Sequence, residues 1–481
     1  MLMKRSLPLV NSPLVVAVYL TLLFCSSTAI GKLPQSVLDL LQKHQIPSSA
    51  VSAKATDLNS GQVLLEHNAE ISRNPASVMK VLTSLAALEM LGPAYSWQTK
   101  YYLNGALKDG VLQGDLVIQG QGDPYLVAEQ FWLHLRDLRE LGLVKITGNL
   151  LIDNSAFDVP RHDPNAFDNS PNRLYNVGPS ATLANFNATR FKLVSDGNVV
   201  RIQLDPPLEN IIINDQLRLK KGKCVSQQSG WSMKSEQRQH RAYVTFSGHY
   251  KSGCGKYEYR RTVLDSDAYL FGLFKHLWQE LGGELAGSYA LRKVNSKVEP
   301  FYVGSGKNLA ETIIGTNKFS NNLLAQHLML TLSREADKNQ GATRGHAINI
   351  INQWLVANGI DASDLKIDNG SGLSRDITLS SSMLSDLLEV GWRSDFRPEF
   401  LASFSLAGID GTAKKRFRNS KDPGRVRIKT GYLQGVRTMA AYIKTRKGKW
   451  LASNLLIEHK SVNYWIGNQI QDAYIQALLK R

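Results

Sequence analysis

A serine and a lysine three residues apart can act as a nucleophile and its base, and Ser77-Val78-Met79-Lys80 has that spacing. The recurrence of Val78, Val81, Leu82, Leu85, Leu88 and Leu91 predicts a helix that starts after Asn74-Pro75-Ala76 and is stopped by Gly92-Pro93. A serine at a helix start exposes its hydroxyl near backbone N–H groups that no helical carbonyl satisfies. A residue three further on lies one turn along the same face, so the Lys80 amine can reach that hydroxyl. In a desolvated, cationic site such an amine is neutral enough to take a proton. The same pair can also be read as an ordinary first-turn serine beside a solvated lysine. A second Ser-x-x-Lys, Ser363 to Lys366, follows Asn358-Gly359 and runs toward a turn, so no helix start is expected there.

Two further motifs add polar groups. Ser320-Asn321-Asn322 opens a run with Leu323, Leu324 and Leu328. Ser320 offers a hydroxyl that can relay a proton to a leaving amine, and Asn322 an amide that can bind a peptide carbonyl. The alternative is a helix N-cap, which Ser and Asn favour. Lys429-Thr430-Gly431 closes an alternating strand. Lys429 can hold positive charge at a cleft, Thr430 can bond a carboxylate, and Gly431 lets substrate backbone approach. Isolated copies occur at Ser170-Pro171-Asn172, Ser461-Val462-Asn463 and Lys251-Ser252-Gly253, so only the ordered set is informative. The ten histidines are scattered with no His-Glu-x-x-His, so no metal site is expected. An α/β-type serine hydrolase is excluded because no Gly-x-Ser-x-Gly occurs.

The elements that must position these residues can be read coarsely. Residues 50–66 predict a hairpin turning at Asn59-Ser60-Gly61. Residues 98–160 are strand-like, interrupted by a helix near Ala128 to Leu141. Four prolines within 160–180 mark a linker or irregular loop. Residues 181–250 read as a small β domain, and 267–282 as a helix. Helices are expected near 307–315, 320–334, 342–359 and 380–391, with strands at Val426–Lys429, Thr438–Thr445 and Trp450–Glu458. A last helix should bury Trp465, Ile466, Ile470, Ala473, Tyr474, Ala477 and Leu478 on one stripe. The N-terminal hairpin is expected to pair with the C-terminal strands in one antiparallel sheet, with the β-rich middle as an insertion.

Residues 1–29 carry a positive start, Lys4 and Arg5, an apolar run from Leu14 to Phe24, and a small-x-small end at Ser27 and Ala29. This is the pattern of a secretory leader, the alternative being an uncleaved N-terminal anchor. The chain has 481 residues, room for two to four folding units. Hydrophobic residues at 43% and charged residues at 20% exclude a disordered chain. Removing Lys4 and Arg5 with the leader lowers the net charge from +16 to +14. Such a charge suits an anionic surface, such as cell-wall polymer or membrane head groups, or general solubility. No motif for nucleic-acid binding accompanies it. Cys224 and Cys254 remain after cleavage, 29 residues intervening. In an oxidising compartment they predict a disulfide, the alternative being two buried thiols.

The ordered set Ser77-x-x-Lys80, Ser320-x-Asn322, Lys429-Thr430-Gly431 resembles the penicillin-binding proteins and β-lactamases. The 239 residues between Lys80 and Ser320 narrow the resemblance to the class C low-molecular-mass penicillin-binding proteins, the D-alanyl-D-alanine carboxypeptidase/endopeptidases. Gly120 to Pro124, Leu151 to Phe157, Asp368 to Arg375, Ser405 to Thr412 and Lys429 to Val436 look like segments of that family. The resemblance spans nearly the whole mature chain and is weakest over 160–250. It implies an α+β fold: a β-lactamase/transpeptidase-like antiparallel sheet flanked by helices, with β-rich domains inserted after the nucleophile helix. The implied divisions are a leader 1–29, a transpeptidase-like domain from 30–97 and 298–481, an inserted domain from 98–165 and 251–297, and a β domain 166–250 within it.

The resemblance also implies roles. Ser77 attacks the carbonyl of the penultimate D-alanine and Lys80 takes its proton. Backbone N–H groups of Ser77 and Tyr432 hold the oxyanion, and Ser320, supported by Lys429, relays a proton to the leaving amine. Asn322, Thr430 and Gly431 orient the peptide. Asp153, Arg375 and Gln434 line a pocket for the stem-peptide side chain, or are surface and turn residues. No cofactor is required, and the implied partners are peptidoglycan peptides and β-lactam antibiotics in the periplasm. Two departures stand out: Tyr432 occupies a position where the family has Thr or Ser, and Asn369 is an extra residue in an Asp-Gly-Ser-Gly setting. A β-lactamase would use the same motifs but commonly adds a glutamate for deacylation, and none is assigned here. A non-catalytic wall-binding module would leave three complete motifs without a role.

Overall fold

The computed structural model describes residues 31–196, 198–294, 298–417 and 422–481. The leader expected over residues 1–29 lies outside them. No helix among the described residues is long and apolar enough to cross a membrane.

The sheet expected from the two chain ends forms. Its six strands run Ser405–Leu406, Val426–Leu433, Val436–Lys444, Trp450–Glu458, Val51–Asp57 and Val63–His67, all neighbours antiparallel. Val436–Lys444 is buried on both faces up to its last residue, because each face carries a helical layer. One layer contains Met79–Leu91, Asn322–Ala336 and Ser381–Arg393. The other pairs the C-terminal helix Tyr464–Leu479 with Gln35–Lys43 through Val37, Leu41, Ile470 and Leu478. The short Gln35–Lys43 helix has too few residues for its period to stand out in the sequence.

The C-terminal helix is rotated relative to the expected stripe. Trp465 is 75% exposed, and Gly467, Gln471, Ile475 and Leu479 are buried with Ile470, Tyr474 and Leu478. The Arg437 side chain crosses Gly467 where any Cβ would collide, and Gln471 accepts a bond from Arg416 Nη1 at 3.0 Å. Two polar partners thus draw a face inward that apolar periodicity alone does not select.

The middle of the chain forms two further units. The larger is a mixed sheet built on Ser96–Lys108, Val111–Gly120 and Leu150–Asp153, covered by helices Ala128–Glu140 and Ser266–Glu280. Tyr302–Asn308 pairs with Ser96–Lys108, so this sheet reaches past residue 297. The smaller unit holds two three-stranded sheets, centred on Thr189–Ser195 and Arg241–Lys251, with Phe191 and Phe246 in edge contact at 5.2 Å. Lys256–Arg261 pairs with Thr189–Ser195, so this unit continues beyond residue 250. The larger unit is docked on the Asn322–Ala336 helix: the Gly122 carbonyl lies 2.9 Å from His327 Nδ1, and Phe157 packs on the His327 ring. Gly122 has φ +86 and faces Phe157 where a Cβ would overlap the ring, so glycine is required there.

Cys224 and Cys254 are disulfide-bonded and span 30 positions of the small unit. The bond limits the unfolded chain, an effect of about 3.6 kcal/mol for a loop of this length. The double variant Cys224→Ser/Cys254→Ser is expected to unfold its small unit at clearly lower urea, followed by Trp231 fluorescence. Chemistry at Ser77 should be unchanged.

Candidate active site

Ser77 sits in a 3-10 turn, Ala76–Val78, that runs into the Met79–Leu91 helix. Three residues per turn bring positions i and i+3 into register more closely than an α-helix does. Lys80 Nζ accordingly lies 3.1 Å from Ser77 Oγ. The turn is held from outside. Ala76 has φ +46, a left-handed conformation costly for alanine, and its N–H donates to Asn74 Oδ1 at 2.8 Å. Asn74 Nδ2 donates to the Ser374 carbonyl at 3.0 Å, and Thr438 Oγ1 donates to the Pro75 carbonyl at 2.6 Å. Gly372, at φ +81, lies where a Cβ would overlap the Ala76 carbonyl.

Lys80 is fully buried. Its other partners are Asn322 Oδ1 at 2.7 Å and the Ser371 carbonyl. Asn322 Nδ2 donates to the Tyr175 carbonyl at 3.2 Å, which sets the amide with its oxygen toward Lys80. A neutral amine has two N–H donors and one lone pair. The two carbonyl oxygens take the donors, and the lone pair is left for the Ser77 hydroxyl. Burial drives the Lys80 proton affinity well below the usual lysine range, and the charge of Lys429 adds to the effect.

The helix after Ser320 does not use Ser320 or Asn322 as its cap. Asn321 is the N-cap, accepting from Leu323 N and Leu324 N at 3.0 and 3.2 Å. Ser320, at φ +59, stays outside the helix, and its Oγ is 2.9 Å from Lys429 Nζ. Lys429 also donates to the Thr430 carbonyl at 2.7 Å. Its pKa is pushed down to about 7 by burial and then by the nearby Arg437. Thr430 Oγ1 lies 3.2 Å from Thr412 Oγ1. Gly431 passes so close to the Ser77 turn that a Cβ would come within 2.8 Å of the Pro75 carbonyl. The three motifs therefore meet in one cleft.

Tyr432 is 46% exposed at the cleft edge, its ring in edge contact with Tyr464 at 5.8 Å. Arg437 lies 5.8 and 4.8 Å from the centres of those two rings and donates to the Gly431 carbonyl at 3.2 Å. Arg375 Nη1 donates to the Gln434 carbonyl at 2.9 Å, and both line a cavity of about 230 Å³ with Asn74 and Glu458. Asp153 is not joined to them by any contact among the described residues. Its buried carboxylate accepts from Gln119 Nε2 at 2.8 Å and from the Ser155 and Val294 N–H groups at 2.9 Å, inside the larger inserted unit.

Several contributors were not singled out from the sequence. Thr412, Arg437 and the Ser371 carbonyl carry no spacing signal, and Tyr175 acts through its backbone. The proline-rich stretch 160–180 is irregular, as expected, but it is also part of the cleft. Phe167 packs under the Arg375 guanidinium at 5.6 Å, and the Tyr175 carbonyl meets Asn322. Lys251-Ser252-Gly253 lies beside Cys254 in the small unit, where Ser252–Cys254 is a 3-10 turn.

The sequence pattern of the D-Ala-D-Ala carboxypeptidase 3 (S13) family matches residues 33–478. D-alanyl-D-alanine carboxypeptidase DacB of Haemophilus influenzae is 25% identical over 443 residues, 87% of each chain. The D-alanyl-D-alanine carboxypeptidase of Actinomadura sp. (strain R39) is 25% identical over 468 residues, 93% of this chain and 85% of that one. The crystal structure of penicillin binding protein 4 (dacB) from Haemophilus influenzae matches with a TM-score of 0.78 at 23% identity, covering 92% of this chain and 99% of that one. At that identity the structural likeness bears on the fold.

Proposed function

Since the chain belongs to the D-Ala-D-Ala carboxypeptidase 3 (S13) family, we propose that it is a serine D-alanyl-D-alanine carboxypeptidase and endopeptidase of the periplasm that works through an acyl-enzyme on Ser77. The observation that carries this reading is the pairing of two buried lysines with two serines in one cleft: Lys80 with Ser77 at 3.1 Å and Lys429 with Ser320 at 2.9 Å.

Ser77 Oγ attacks the carbonyl of the penultimate D-alanine while its proton passes to the Lys80 lone pair. The N–H groups of Ser77 and Tyr432 stabilise the oxyanion, and a donor so placed typically contributes about 3 kcal/mol. Only the backbone of Tyr432 is needed for that. Ser320 relays to the leaving nitrogen, as the C–N bond breaks, the proton that Lys80 took from Ser77, with Lys429 beside it. Thr430, with Thr412 behind it, receives the terminal carboxylate, and Asn322 orients the peptide. Water then releases the acyl group. A lactam presents the same carbonyl and carboxylate, so penicillin is a substrate for the first half of the reaction. The test is intact mass after incubation with penicillin, with peptide mapping, and turnover of monomeric and cross-linked muropeptides. A penicillin adduct on the Ser77 peptide and loss of D-alanine are expected. An unmodified protein inert on both peptides would overturn the reading.

The two lysines predict a bell-shaped pH profile. As pH falls, Lys80 gains a proton and ceases to be a base, so kcat/KM drops on the acid side. As pH rises through about 7, Lys429 loses its charge and with it the electrostatic support of the Ser320 relay, so kcat/KM drops on the alkaline side. Lys429→Arg keeps the charge at all accessible pH and should remove the alkaline limb. A profile flat from pH 6 to 9 would contradict this assignment.

A further inference from the structure

The inference rests on the endopeptidase part of the reading above. The leaving nitrogen takes its proton from Ser320, so whatever that nitrogen carries lies on the Ser320 side of the cleft. Ser320 also lines an open cavity of about 460 Å³ between the start of the Asn322–Ala336 helix and the small inserted unit. Tyr175, Phe186 and Phe319 give it apolar walls, and Phe319 is 65% exposed. Arg190 and Arg260 face it from the small unit.

A released D-alanine does not need a chamber of this kind, but a cross-linked substrate does. There the leaving nitrogen is a side-chain amine of a second stem peptide. With that amine bonded, the second peptide retains its carboxylates without a counter-charge, and it is acidic. The cavity wall has the opposite sign. Arg190 Nη2 pairs with Asp205 at 3.0 Å and Arg260 Nη2 with Glu258 at 3.1 Å, while Lys192 Nζ also bonds Asp205 at 2.7 Å. Three cations thus share two carboxylates, and the pairs are partly open to solvent, so a guanidinium can turn to an incoming carboxylate.

We propose that this cavity receives the leaving stem peptide of a cross-link, with Arg190 and Arg260 meeting its carboxylates and Phe319 covering its apolar side. The amide broken is the one Ser77 attacks, and the proton delivered by Ser320 goes to the nitrogen of the peptide held there. The cavity serves cross-link cleavage and not removal of a terminal D-alanine.

The experiment compares the parent with Arg190→Gln/Arg260→Gln and with Phe319→Ala on a cross-linked muropeptide dimer and on a monomeric pentapeptide. For the double arginine variant, KM for the dimer is expected to rise about tenfold. Dimer KM in the parent should rise with salt and do so less in that variant. Phe319→Ala should raise dimer KM without changing the salt dependence. Monomer turnover and penicillin acylation should match the parent, which also reports correct folding. Where the parent cleaves both substrates, equal losses on dimer and monomer, or a dimer KM in the variants unchanged from the parent, would overturn the cavity assignment alone. A parent that forms a penicillin adduct but leaves the dimer intact would overturn the endopeptidase reading and the cavity assignment with it.

Discussion

Replacing Ser77 with alanine is expected to abolish the penicillin adduct and to lower peptide turnover by about 10⁶-fold. In the proposed reaction the hydroxyl oxygen is the atom acylated, and no other group lies in the same turn to replace it. The fold should tolerate the change. The Ser77 side chain is only partly buried and its hydrogen bond is to Lys80, whereas the turn itself is held by Asn74, Thr438 and Gly372. Circular dichroism and urea midpoint should therefore stay close to the parent while intact mass shows no adduct. A Ser77→Ala protein that still gains the mass of penicillin would place the nucleophile elsewhere.

Lys80→Met and Lys80→Arg are expected to reduce the acylation rate by about 10³-fold or more, at the upper part of the range for a general base. The two variants fail for different reasons. Methionine has no lone pair for the Ser77 proton, and it leaves the Asn322 and Ser371 carbonyls without their donor. Each buried oxygen so abandoned costs about 1–3 kcal/mol, so this variant should also melt earlier. Arginine supplies donors and charge but stays protonated, so it cannot act as the base. An arginine variant that acylates at the parent rate would mean that Lys80 acts through its charge. Rapid-quench mass spectrometry with penicillin separates these outcomes, because acylation is read before hydrolysis.

The parts of the cleft that could be read along the chain are those set by local geometry. Ser77 and Lys80 are three residues apart in one helical segment. Ser320 and Asn322 flank a helix start, and Lys429, Thr430 and Gly431 occupy the end of a strand. Alternation and helical periodicity also located most of the sheet and of the helices 309–357. The Cys224–Cys254 bond follows from counting the two cysteines left in a chain expected to be exported. Apolar periodicity points Trp465 inward, but the C-terminal helix turns another face to the core, because Arg437 and Arg416 select it from other parts of the molecule. The proline-rich stretch 160–180 carries no periodicity that would signal its place beside Asn322 and Arg375.

Order along the chain determined which groups are available and which pairs share a face, since spacing within a turn or strand depends only on nearby backbone. Tertiary structure decided their chemical state. Lys80 is suited to act as a base because it is buried, with Asn322 and Ser371 turning their oxygens to it from 242 and 291 positions away, and with Lys429 opposing its charge. Desolvation and Coulomb repulsion are sums over neighbours that only folding brings together, so proton affinity is settled at that level.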